Sequence, residues 1–174
     1  MISATKAIRN ISNFAKLERI LAFVCITTPI WLILGDNGSV RGSISAYYNM
    51  EKSVLFYVPL SVAFMLFLVN GVIKEKHWYN TALGVALAGL VLFNHIDYEV
   101  IHFLCAFVFF LGNAAVIVIF TPKDERWFKI SLVAIIVAAL AVWGLKIISL
   151  FWAEWISLAI IGLHYILESW GVIE

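Results

Sequence analysis

The sequence predicts an all-α protein, a polytopic membrane bundle of six transmembrane helices with both termini cytoplasmic. Three observations carry that expectation. Hydrophobic residues make up 63% of the 174-residue chain and charged residues only 13%, against roughly 45–50% and about 25% in soluble domains. Several apolar runs approach the roughly 20 residues that cross a hydrocarbon core of about 30 Å. Lysine and arginine, finally, concentrate in alternate connections. Backbone groups in lipid must satisfy one another, so continuous apolar runs read as helices. The alternating segments of about 10 residues that a barrel needs do not occur.

The expected helices cover about 17–35, 53–73, 78–94, 100–120, 129–147 and 150–171, and residues 1–174 read as one integral membrane domain. The first run, LAFVCITTPIWLILG, is long enough to span and lacks a small-residue cleavage pattern, so it reads as a spanning helix rather than a leader. Pro29 and Pro59 fall inside helices and are expected to kink them. Pro122 follows Thr121 as a helix stop. Lys6, Arg9, Lys16, Arg19, Lys74, Lys76, Lys123, Arg126 and Lys129 all fall on one side if the helices alternate. Arg41, Lys52 and Lys146 fall on the other, which orients the N-terminus inward. Tyr47, Tyr48, Tyr98, Trp152 and Trp155 would then mark the outer interface, and Trp78, Trp127 and Trp170 the inner one.

A net charge of +1 does not nominate nucleic acid as a partner. Cys25 and Cys105 lie in apolar runs and read as small hydrophobes rather than a disulfide or metal pair.

Two outward connections, SISAYYNMEKS and HIDYEVIH, gather most of the reactive side chains outside the cytoplasmic loops. Ser43, Ser45, Tyr47, Tyr48, Asn49, Asp97, His102 and Glu154 are the candidates for a ligand pocket at the outer mouth. His102 and Glu154 fall inside apolar runs, where an ionisable group is costly and faces a cavity or a partner; they are expected to meet within hydrogen-bond or one-water reach. If the fourth helix starts early enough to include position 95, His95, Glu99 and His102 share one face and form a candidate zinc set with an open position for water. His164 and Glu168 form a separate pair at i and i+4, at least about 15 Å deeper.

SISAYYNM after the first helix, IHFLCAFVFFLGNAA opening the fourth and FWAEWISLAIIGLHYILESWG in the last resemble an uncharacterised family of small bacterial integral membrane proteins. The resemblance implies a multi-pass protein of the bacterial inner membrane, with Ser43, Ser45, Tyr47, Tyr48, His102 and Glu154 as family-like positions. Asn49 and Met50 stand where many such proteins carry histidine and threonine. A looser likeness, through Ser45-x-x-x-Asn49, Asp97 and His164-x-x-x-Glu168, is to the membrane hydrolases that include alkaline ceramidases and progestin/adiponectin-type receptors, which implies zinc.

Two functions of different class follow as expectations. The first is an integral membrane protein whose extracytoplasmic polar pocket binds a lipid, a small-molecule ligand or a membrane-protein partner within the lipid bilayer. The second is a zinc-dependent hydrolase acting on a lipid. A small transporter ranks third, because repeats and broken helices are missing from the pattern.

Overall fold

A computed structural model describes residues 4–73 and 77–173, with side chains from Phe14 onward in the first helix. The charges of Lys6 and Arg9, and residues Lys74, Glu75 and Lys76, lie outside that description. Among the described residues the protein is all-helical and without strands. Its helices are α1 (Ala4–Gly35), α2 (Val54–Ile73), α3 (Tyr79–Leu92), α4 (Glu99–Ile119), α5 (Arg126–Gly144) and α6 (Leu150–Ser169), with a short 3-10 helix, Ser45–Asn49, between α1 and α2.

Five of the six are long and apolar enough to cross a membrane, with mean hydropathies of 1.6 to 2.3. The exception is α3. Its 14 residues rise about 21 Å at about 1.5 Å each, short of a core of about 30 Å. The chain leaves the helix at Phe93 because Asn94 captures the local backbone: its Oδ1 accepts from Ile96 N–H at 3.0 Å and Asp97 N–H at 2.9 Å. An asparagine side chain that bonds two and three residues ahead competes with the helix ladder. The first helix, by contrast, begins at Ala4 rather than near 17.

The helices close into a ring, in the order α1, α2, α3, α4, α5, α6 and back to α1. The pairs α2–α3 and α1–α6 pack most closely, and α4–α5 is the loosest neighbour pair of the ring. Close approach depends on small residues, as is usual where lipid removes the hydrophobic drive between helices. A Cβ on Gly162 would stand 3.0 Å from the Ala22 carbonyl oxygen, and one on Gly84 would stand 3.0 Å from Leu68 N. The ring is filled by Phe67, Phe109, Ile136, Phe151 and Ile161, each fully buried. Phe67 meets Phe109 and Tyr165 edge-on at 5.5 and 5.6 Å.

Among the described residues, three helices end on a residue in the left-handed region: Asn37 after α1, Lys146 after α5 and Gly171 after α6. Each turn is closed by a reaching N–H, Gly38 to Ile33 O, Ile147 to Val142 O and Val172 to Leu167 O, which satisfies carbonyls that the helix end leaves over. The connections 36–53, 93–98 and 145–149 thereby gather at one end of the ring, called here the cap end. Residues 77–78, 120–125 and 170–173 gather at the base end.

Candidate functional site

The cap is a folded loop organised by Arg41. Its Nε and Nη2 donate to Asp36 Oδ2 at 2.7 Å and Oδ1 at 3.0 Å, a two-pronged pairing. Its Nη1 donates to Ala46 O and to Asn49 Oδ1, both at 2.7 Å. The guanidinium holds the Asp36 carboxyl below the usual aspartate range. Beneath it lies Tyr47, with the guanidinium 5.3 Å from the ring centroid. The Tyr47 hydroxyl donates to Ser39 O at 2.7 Å and accepts from Arg41 N–H at 3.1 Å, and burial pushes its pKa up.

Two bonds pin this loop onto α6. Phe151 N–H donates to Gly42 O at 2.9 Å, and Ile44 N–H donates to Glu154 Oε2 at 2.6 Å. Glu154 is only 7% exposed, so that short bond forms out of reach of bulk water. The same loop turns Ser43 and Ser45 toward each other, with their hydroxyl oxygens 3.0 Å apart.

Across the ring, His102 is buried near the start of α4 and its Nδ1 lies 2.7 Å from Phe93 O. A carbonyl only accepts, so the proton sits on Nδ1 and the neutral ring's Nε2 is left as an acceptor. His95 lies beside it with ring centroids 5.8 Å apart and the ring planes tilted, and meets Tyr48 edge-on at 5.7 Å. The His95 Nδ1 is buried and has no hydrogen-bond partner among the described residues.

These groups border a cleft of about 640 Å³ where α4, α5 and α6 meet, within the roughly 300–1,000 Å³ of small-molecule sites. Ser43, Ser45, His95, His102 and Glu154 form its polar end. Its walls are apolar, with Phe107, Phe110 and Leu111 from α4 and Val137, Leu140 and Trp143 from α5. Phe103, Phe107 and Val137 are 48, 63 and 51% exposed, so the cleft opens sideways between α4 and α5 at the loosest seam of the ring. From His102 to Leu111 its α4 wall descends about 13 Å. That is close to half of a hydrocarbon core of about 30 Å.

Of the sequence candidates, Ser43, Ser45, His102 and Glu154 thus border one cleft, joined by His95. Tyr47, Tyr48, Asn49 and Asp97 do not border it. Tyr47 is a strut of the cap, Tyr48 backs His95, Asn49 is exposed on Arg41, and Asp97 is exposed on Asn94 Nδ2 at 2.8 Å. His102 and Glu154 share the cleft, but no hydrogen bond joins them among the described residues. Each is held instead by a backbone group at a loop end, Phe93 O and Ile44 N–H.

The zinc set His95, Glu99 and His102 is not assembled. Among the described residues no group of three His, Cys, Asp or Glu side chains is placed to hold a metal ion. The Asn94 turn starts α4 at Glu99, which takes His95 off the helix and leaves Glu99 exposed.

The base end carries a second polar cluster that sequence reasoning grasped only through His164 and Glu168. Those two stand 3.9 Å apart, and His77 Nδ1 lies 3.7 Å from the other Glu168 oxygen. Deeper in, Tyr165 OH donates to Asn80 Oδ1 at 3.1 Å, Asn80 Nδ2 to Asn70 Oδ1 at 2.8 Å, and Asn70 Nδ2 to Glu18 Oε1 at 3.5 Å. All four are buried. Arg19 reaches the Ser169 hydroxyl and carbonyl, both at 3.3 Å. Asparagines inside apolar runs were the available signal.

A family model described as a family of unknown function (DUF7103) matches residues 27–169. No curated protein and no solved structure matches the chain.

Proposed function

We propose that this chain, which belongs to the family of unknown function DUF7103, spans the membrane six times and binds a membrane-resident amphiphile in the cleft between α4, α5 and α6. The observation that carries the reading is the one-ended polarity of that cleft. Five ionisable or hydroxyl side chains lie at its cap end and apolar side chains line the rest. An alkyl chain enters sideways through the α4–α5 seam, reaches about the depth of one leaflet, and leaves its head beside Ser45, His102 and Glu154. Apolar pockets with a few convergent polar groups are the ordinary form of a ligand site, and intramembrane ionisable residues mark functional positions by default. Binding is preferred over zinc-dependent hydrolysis because, among the described residues, no three His, Cys, Asp or Glu side chains are grouped to hold a metal ion.

Native mass spectrometry of the chain released from mild detergent tests the cleft. One retained amphiphile per chain is expected for the wild type. Ala106 lines the cleft, and Ala106→Trp is expected to lose the adduct at least tenfold while keeping the wild-type helical content. An equal adduct on both chains would overturn the reading.

The orientation rests on the charge bias, with the base end cytoplasmic and the cap end outside. The short α3 crosses with help from Trp78 and Phe93 at its ends, since Asn80 bonds to Tyr165 at the base and Phe93 to His102 at the cap. Single cysteines at Ser39 and Tyr98 are expected to react with an impermeant maleimide in intact cells, and cysteines at Glu75 and Asp124 are not. The reverse pattern would invert the protein.

A further inference from the structure

The polar end of the cleft is rich in acceptors and, among the described residues, carries no lysine or arginine. Glu154 uses Oε2 for Ile44 N–H, and a carboxyl group, with a second oxygen, retains acceptor capacity beyond that bond. His102 offers Nε2 as an acceptor, because Nδ1 faces Phe93 O. Ser43 and Ser45 add hydroxyl oxygens, and His95 brings a buried ring nitrogen with no partner. Among the described residues no lysine or arginine borders the cleft. At the cap end, Arg41 is committed to Asp36, Ala46 and Asn49, while Lys52 and Lys146 are exposed.

From this arrangement we infer that the amphiphile bound in the cleft carries a protonated amine or amino-alcohol head, held by Glu154, His102 Nε2 and the Ser45 hydroxyl. The inference rests on the amphiphile reading above and narrows it to a ligand class. A primary ammonium presents three N–H donors and no acceptor, which suits three acceptors converging from α6, α4 and the cap. A phosphate or carboxylate head would meet a carboxyl group and imidazole acceptors with no cation to offset its charge, in a site where an unpaired ion is expensive. A neutral alcohol fits sterically but makes weaker bonds, since hydrogen bonds to charged groups are about twice as strong as neutral ones.

The test uses the full chain in phosphatidylcholine nanodiscs with dodecylamine bearing a photoactivatable diazirine in its alkyl chain. Crosslinks are mapped by peptide mass, and unlabelled dodecylamine, dodecanol and dodecyl phosphate compete. Crosslinks are expected on the α4 stretch 103–111 and the α5 stretch 137–143. Dodecylamine is expected to compete at least about tenfold better than dodecanol, the loss of a charge-assisted bond, and dodecyl phosphate worse than either. Glu154→Gln keeps an acceptor for Ile44 N–H, so it is expected to crosslink in the same peptides while amine and alcohol compete equally.

Equal competition by all three heads on the wild type, or preference for the phosphate, would overturn the amine head and leave the cleft reading standing. An amine preference that survives Glu154→Gln would also overturn it, since the carboxyl is its source. Crosslinks scattered over all the helices, with none enriched at the cleft, would overturn both.

Discussion

Replacing Asn80 with alanine is expected to destabilise the bundle by about 2–4 kcal/mol. Asn80 is 2% exposed and joins three helices by itself, donating to Asn70 on α2 and accepting from Tyr165 on α6. Through Asn70 the chain of bonds extends to Glu18 on α1. Interhelical hydrogen bonds in membranes contribute about 0.6 kcal/mol on average and reach about 1.7. Alanine removes two of them and leaves a void where a buried carboxamide stood, which adds a cavity cost. Asn113 is the control, because among the described residues its Nδ2 donates to Phe109 O in its own helix and to no other helix. Unfolding in mixed micelles with rising dodecyl sulfate should therefore place Asn80→Ala at least twice as far from wild type as Asn113→Ala. Equal losses would show that burial alone, not the link across helices, sets the value of Asn80.

That network also marks where reading the sequence stopped. The helices were legible because an apolar run in lipid has one backbone solution, and the physical requirement acts on the run as a whole. The shortness of α3 was not, because one side chain decides it: Asn94 turns the chain by accepting two N–H groups, and nothing in the apolar pattern of ALGVALAGLVLF signals that. The same turn dissolved the expected alignment of His95 with Glu99 and His102. His102 and Glu154 were found by cost, since an ionisable group set among apolar residues needs a partner or a cavity, and Ser43 and Ser45 by their place in the outward loop SISAYYNMEKS. Tyr47 and Asn49 share that chemistry, but they sit in a loop where Arg41 competes for their oxygens, and composition does not rank such competitors. Asn70 and Asn80 escaped notice because an uncharged amide does not figure among ionisable residues, although it carries the same demand for partners once buried.

Glu154→Ala is expected to weaken the bundle by about 1–3 kcal/mol, while Glu154→Gln stays within about 0.5 kcal/mol of wild type. The difference lies in one bond. Ile44 N–H is buried under the cap and donates to Glu154 Oε2, and a buried donor stripped of its acceptor costs about 1–3 kcal/mol. Glutamine still offers a side-chain oxygen at that place; alanine offers none. The backbone partner can be removed too, because Ile44 has φ near −62°, which a proline ring accepts, and proline has no N–H. Ile44→Pro alone should destabilise by the lost bond and by lost packing of a buried isoleucine. Combined with Glu154→Ala it should cost less than the sum of the two, because the second change no longer leaves an orphan. The coupling, read from unfolding midpoints and from protease cutting within residues 38–50, isolates the bond from the packing. Strict additivity would mean that Glu154 does not hold the cap down. The carboxyl would then serve the cleft alone.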